Sequence, residues 1–268
     1  MERYRLKNII ILILLLMNSF LFSGIIYRES QESSLLRRSE EELIQLFADS
    51  GMTLDPDAIS WETPPAGISI SRSNELERSA ARFLLGTNLH ITQQGSATAY
   101  SSSSGTVLFR AGCIFEASGT LAEKDGEGFC RSFCKTFSYE EPQFALNEEG
   151  SGTASAVFRY EKRPVYNATV TFTLEQDRVI HISGTLLPTS GTALSSDKTP
   201  LSAAAALTAF QQMRQEESTV ASSILQTKLC YEMVSSPSAT LTLGSAWCIV
   251  TDIAKYYVNS STGAITVG

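Results

Sequence analysis

The residues Ile9 to Ile26, IIILILLLMNSFLFSGII, carry no charge and almost no polarity over 18 positions. At about 1.5 Å per residue such a run makes about 27 Å of helix, close to the ~30 Å hydrocarbon core of a bilayer, and Tyr27 extends it into the interface. A membrane-spanning helix over 9–27 is therefore expected, after a short cytoplasmic segment 1–8. Arg3, Arg5, Lys7 and the α-amino group crowd the N-terminal side, whereas Arg28 on the far side is followed by Glu29 and Glu32. That bias places the N-terminus inside and the remainder of the chain outside. A cleaved secretory signal also has a basic start and an apolar run. This run is longer than a usual signal core, however, and Leu21-Phe22-Ser23 is a poor small-residue cleavage site, so an uncleaved single-pass anchor in a cell membrane is the expectation.

Within the span, Asn18 is the residue that lipid would not choose. Its amide gains by bonding to a second helix, and Ser19 and Ser23 form a small-xxx-small pair that allows close approach, so Asn18, Ser19 and Ser23 are the candidate helix–helix contact. Tolerance of one polar residue by tilt and water is the plainer alternative.

Setting aside Glu2, Arg3, Arg5 and Lys7 from the 21 basic and 28 acidic residues leaves 18 and 27, a net of −9 outside the membrane. An acidic ectodomain argues against nucleic acid or anionic lipid as its ligand. Five cysteines, with no CxxC, are too few and odd in number for a disulfide scaffold. Cys130 and Cys134 fall on one helix face with Phe129, Phe133 and Phe137, which reads as core packing. Cys230 and Cys248 lie on two neighbouring expected strands and could pair.

Beyond the span, 28–51 reads as a juxtamembrane stalk helix with Leu36, Leu43 and Phe47 on one face and Gly51 to stop it. A first ectodomain unit is expected over 52–122: a short strand at Ile68, a helix capped by Ser73, then four strands, with Ala111-Gly112 turning the last hairpin. A second domain, 123–268, reads as two similar units. In the first, a helix over Gly126–Phe137 precedes strands in which Tyr166, Ala168, Val170, Phe172 and Leu174 alternate with Asn167, Thr169, Thr171 and Thr173. In the second, Thr199 caps a helix with Pro200 at its first position, and strands follow to Val267. Phe133, Phe172, Phe210 and Trp247 should face cores. The fold class is α+β, with an N-terminal transmembrane helix followed by repeated helix plus antiparallel-sheet units.

Motifs that carry chemistry are not apparent. His90 and His181 sit on expected strands without zinc-ligand spacing, and there is no GxSxG. Ser195-Ser196-Asp197-Lys198 matches SxxK, but in the loop before a helix rather than on one turn of it. No catalytic, metal or cofactor-binding residues are therefore expected, and the chain reads as a non-enzyme. Asn167 and Asn259 begin glycosylation sequons, a weak signal.

Three stretches carry a resemblance: LLLMNSFLF, Tyr160–Leu187 (YEKRPVYNATVTFTLEQDRVIHISGTLL) and Ser245–Ile265 (SAWCIVTDIAKYYVNSSTGAI). The chain resembles the YycH/YycI family of membrane-tethered regulators, and its C-terminal stretch resembles PepSY-like modules. The family often has proline where this chain has Ala246. The resemblance implies a type II protein of a Gram-positive bacterium that tunes a sensor histidine kinase of the WalK type, with a paralogous membrane regulator as a further partner. An extracellular peptide- or protease-binding module and a cell-wall enzyme are the competing functions.

Overall fold

The structure, a computed structural model, describes residues 39–195, 199–217, 220–235 and 240–268. The expected membrane span, with Asn18, Ser19 and Ser23, lies outside the described residues. Among the described residues no helix is long and apolar enough to cross a membrane.

The molecule is an α+β protein in which one arrangement recurs three times, a helix followed by a meander of four antiparallel strands. The first unit is α2 (Asn74–Leu85) with β3 (His90–Gln94), β4 (Ala97–Ser102), β5 (Gly105–Phe109) and β6 (Ile114–Ala122). The second is α3 (Gly126–Thr136) with β7 (Gln143–Leu146), β8 (Gly152–Tyr160), β9 (Arg163–Glu175) and β10 (Arg178–Thr185). The third is α4 (Ala203–Glu217) with β12 (Ser223–Ser235), β13 (Leu241–Thr251), β14 (Lys255–Asn259) and β15 (Ile265–Val267). Helix α1 (39–49) and the short strands β1 (Thr53–Leu54), β2 (Ile68–Ile70) and β11 (Thr192–Ala193) complete the described elements.

Local chemistry sets the element ends. The Ser73 hydroxyl accepts from Leu76 N–H, and the Asp125 carboxylate accepts from Gly128 N–H, so each caps the helix that follows. Asp177 then ties the start of α3 to the β9–β10 turn, its carboxylate accepting from Asp125 and Gly126 N–H at 3.2 and 3.0 Å. Helix α1 ends as expected at Gly51 (φ 73°), where Gly51 N–H donates to Ala48 and Met52 N–H to Phe47. It is not a free stalk: Leu43 and Phe47 are buried in one core with Ala206, Leu207 and Phe210 of α4 and with Trp247.

The last strands of the first two units, β6 and β10, pair antiparallel and fuse the two meanders into one sheet. That pairing brings α2 and α3 side by side, with Phe83 against Phe129, Phe133 and Phe137 at 5.5–5.7 Å between ring centroids. Residues on both sides of the division expected at 122–123 therefore share one core, including Phe109, Phe115, Phe133 and Phe172. The third unit closes a second core with α1. Phe133, Phe172, Phe210 and Trp247 are fully buried, facing cores as the sequence leads one to expect.

Helix α4 begins later than its Thr199-Pro200 signal. Leu201 N–H donates to Ser260 C=O, and Leu201 C=O accepts from Trp247 Nε1–H at 2.8 Å, so this segment is held against the third sheet. The Ser202 hydroxyl, which accepts from Ala205 N–H, is the cap actually used.

Candidate functional site: an uncovered sheet edge

Strand β3 stands at one end of the strand order and, among the described residues, pairs with β4 alone. The two are joined by Gly95-Ser96, with Gly95 at φ 59°, as a tight hairpin turn of the II′ kind requires. The turn is closed by the pair Gln94–Ala97, and in an antiparallel ladder bonded pairs alternate with unbonded ones. His90, Thr92 and Gln94 therefore spend their backbone groups on β4, while Ile91 and Gln93 turn their N–H and C=O outward. All five residues of β3 are exposed, and none is Lys, Pro or any charged residue that would blunt an edge.

The hairpin is held in place by Arg72. Its guanidinium donates to Glu77 on α2 through Nε and Nη2, to Ser96 C=O at the turn, and to Thr98 Oγ1 on β4 at 3.3 Å. Glu77 is 4% exposed, so this is a largely buried ion pair seen only from the Arg72 side. The Glu77 hydrogen bond is the main reason the Arg72 pKa lies above its ordinary value.

Between α2 and the hairpin runs a groove of about 520 Å³. Tyr100 and Thr98 form its floor, Ile91 and Gln93 its outer wall, and Asn74, Glu75, Arg78 and Arg82 its helical wall. Ile91 is 49% exposed, whereas Tyr100 is 3% exposed and packs edge-on to Phe109. Among the described residues, Arg78, Arg82 and Glu75 form no ion pair or side-chain hydrogen bond. A strand edge with free backbone groups beside a polar groove can take an extended peptide as an added strand.

A second polar constellation lies where the second and third units meet. The strands touch there through one parallel bridge, Val165–Tyr231, beside a wide bulge in β9. Asn167 completes the junction: its amide N donates to Met233 C=O at 2.8 Å and its amide O accepts from Met233 N–H at 2.7 Å. Tyr166 lies flat on Tyr257, with centroids 3.8 Å apart, and donates to Glu232, whose other carboxylate oxygen accepts from Asn259. Burial is the main cause that pushes Tyr166 up to about 12. These residues fill one another's bonding capacity, and the arrangement is a joint.

The five cysteines are buried and free. Cys130 and Cys134 pack in the first core, where burial pushes both thiols up to about 12, and Cys113 sits there at about 11 for the same reason. Cys230 lies opposite Ala246 and Cys248 opposite Lys228, two positions out of register with each other, and Cys230 donates to Ala246 C=O. His181 Nδ1 is 3.0 Å from Ser118 Oγ, and His90 is exposed on β3. Ser195 is exposed in a loop, and Lys198 lies outside the described residues. Among the described residues no three His, Cys, Asp or Glu side chains are grouped to hold a metal. Neither Arg78 nor Arg82 was singled out by sequence. The signal was there as two arginines four apart on one helix of an acidic chain.

The fold and site define an α+β protein of three helix-and-meander units in which, among the described residues, the uncharged strand β3 leaves a sheet edge uncovered beside a groove. No family model and no curated protein matches the chain. Among solved structures, an uncharacterized protein from Eubacterium rectale is similar over 80% of this chain and 89% of its own, with a TM-score of 0.45 and 8% identity. The Bacillus megaterium YpeB C-terminal domain is similar over 74% of this chain and 98% of its own, with a TM-score of 0.32 and 12% identity.

Proposed function

We propose that this protein is a non-enzymatic binding regulator, anchored in a cell membrane by residues 9–27 with its ectodomain outside, and that the ectodomain engages another protein by accepting one of its segments as an added strand on β3. The observation that carries the reading is the pair of outward-facing backbone positions, Ile91 and Gln93, on a strand with no charge, proline or bulge to protect it. Within this reading the partner is a sensor histidine kinase, accompanied by a paralogous membrane regulator. Support for that choice comes from the YycH/YycI-like stretches, two of which fall on β8–β10 and β13–β15. The anchor adds a second contact through Asn18, Ser19 and Ser23.

The test is photo-crosslinking in intact membranes, with benzoylphenylalanine placed at position 91 or 93 and, as a control, at exposed Glu148. Adducts from 91 and 93 that contain the kinase, and none from 148, are expected. Equal labelling from 148, or no adduct from β3, would overturn docking on this edge. Unchanged kinase association after both Asn18→Leu and replacement of the span by polyleucine would remove the membrane contact.

A further inference from the structure

We infer that the segment β3 accepts is acidic: an extended peptide whose carboxylates, at alternate positions, pair with Arg78 and Arg82. The inference rests on the reading of β3 as a docking edge. Its ground is internal, because the second unit carries the same arrangement already closed by its own chain. In α2 the residues Glu77, Ala80, Ala81 and Leu84 are buried, and Cys130, Phe133, Cys134 and Phe137, in α3 and at its C-terminal end, are buried at the same spacing. In that register Arg78 corresponds to Arg131, and Asn74 to Glu127. The same offset matches Ile91, second in β3, to Phe144, second in β7, and Asn88 to Glu141, each two residues before its strand.

In the second unit Arg131 bonds Glu127 at 3.1 Å and Glu141 at 3.0 Å, and lies 5.0 Å from the ring centre of Phe144. One guanidinium thus receives two carboxylates from its own chain and packs on the outer strand. In the first unit both carboxylates are gone. Asn74 stands where Glu127 would be and Asn88 where Glu141 would be, so neither position offers Arg78 a carboxylate, and Arg82 adds a like charge one helical turn away. The acid that completes this place in the second unit must come to the first from elsewhere.

Three further observations shape the occupant. A second copy of β3, His90-Ile91-Thr92-Gln93-Gln94, brings no carboxylate, so self-pairing leaves the arginines unmatched. Glu75 lines the end of the groove near Gln93, and its negative charge confines the partner's carboxylates to the end near Ile91. Side chains on an added strand alternate, and those opposite Ile91 share its face with Arg78 and Arg82.

The probe is a labelled nonapeptide that alternates valine and glutamate, titrated by fluorescence anisotropy against the full chain in detergent micelles. It is compared with a valine–lysine counterpart and with the glutamate peptide N-methylated at alternate residues. The glutamate peptide should bind at least about tenfold more tightly than either. R78E/R82E should reverse the preference, and circular dichroism reports whether that variant is folded. If it is not, the peptide comparison on the unchanged protein still decides. Equal affinity for glutamate and lysine peptides would overturn the acidic occupant while leaving strand docking intact. Indifference to N-methylation, or no binding of any peptide up to about 1 mM, would overturn both. A dimer that pairs through β3 would make the occupant a second copy and overturn the inference.

Discussion

Replacing Arg72 by methionine should destabilise the first unit and free the β3–β4 hairpin while leaving the apolar packing of the side-chain stem. The Glu77 side chain is 6% exposed, and its only ion pair among the described residues is with Arg72, whose own side chain is 25% exposed. Breaking a fully buried pair costs about 3–5 kcal/mol because the remaining charge is stranded; with one partner a quarter wetted, about 2–3 kcal/mol is expected here. That is about 5–10 °C in the melting midpoint of a chain this long. Urea titration at neutral pH measures the deficit, and amide exchange at Thr92 and Gln94, whose bonds to β4 depend on the hairpin staying shut, localises it. A deficit below about 0.5 kcal/mol would refute the clamp. So would R72M/E77L proving as unstable as R72M, because removing both charges together should recover much of the loss.

Two other outcomes follow from single contacts. Asn167→Ala removes both bonds to the Met233 backbone and should cost about 1–2 kcal/mol, read as faster amide exchange at Met233; undiminished protection there would mean the junction does not depend on this amide. The Asp252 carboxyl is held below the usual range, chiefly by the Ser222 hydroxyl and then by the N–H groups of Ser222 and Ser223. A depressed carboxyl contributes stability above its unfolded pKa and loses it as pH falls through the folded value, so Asp252→Asn should be less stable at neutral pH and equal to the parent in acid. A difference that persists in acid would point to packing instead.

The α+β class and most strands were legible because they rest on alternation. Phe172 and Leu174 face the core where a period of two puts them. The same rule fails at Tyr166 and Val165, because β9 bulges where it leaves β8 to meet β12, and a bulge resets which side chains point inward. Strand β7 escaped notice: it is four residues long, follows Pro142 and has no fully buried side chain to mark it. The late start of α4 was equally hidden, since Pro200 is a good first helical residue until Leu201 is bonded to Ser260 and Trp247. The three units have no visible sequence repeat, because what recurs is the spacing of buried positions. The groove needed the fold, since Arg78 and Ile91 become neighbours only when the hairpin folds back along α2.

The seat of α1 in the third unit's core has a mechanical meaning. In the strand order, β12 and β3 are separated by β9, β10, β6, β5 and β4. The chain also takes a shorter route, because β2 pairs with β13 and Arg72, two residues beyond β2, bonds the β3–β4 turn. A force applied along α1 would load the third unit first, and two routes lead on to β3: one across the sheet through the Asn167–Met233 joint and the β6–β10 seam, the other along β2 to Arg72. The margin that would take up a partner is thereby pinned twice to the unit that the entering helix pulls on, so tension is shared between sheet and clamp.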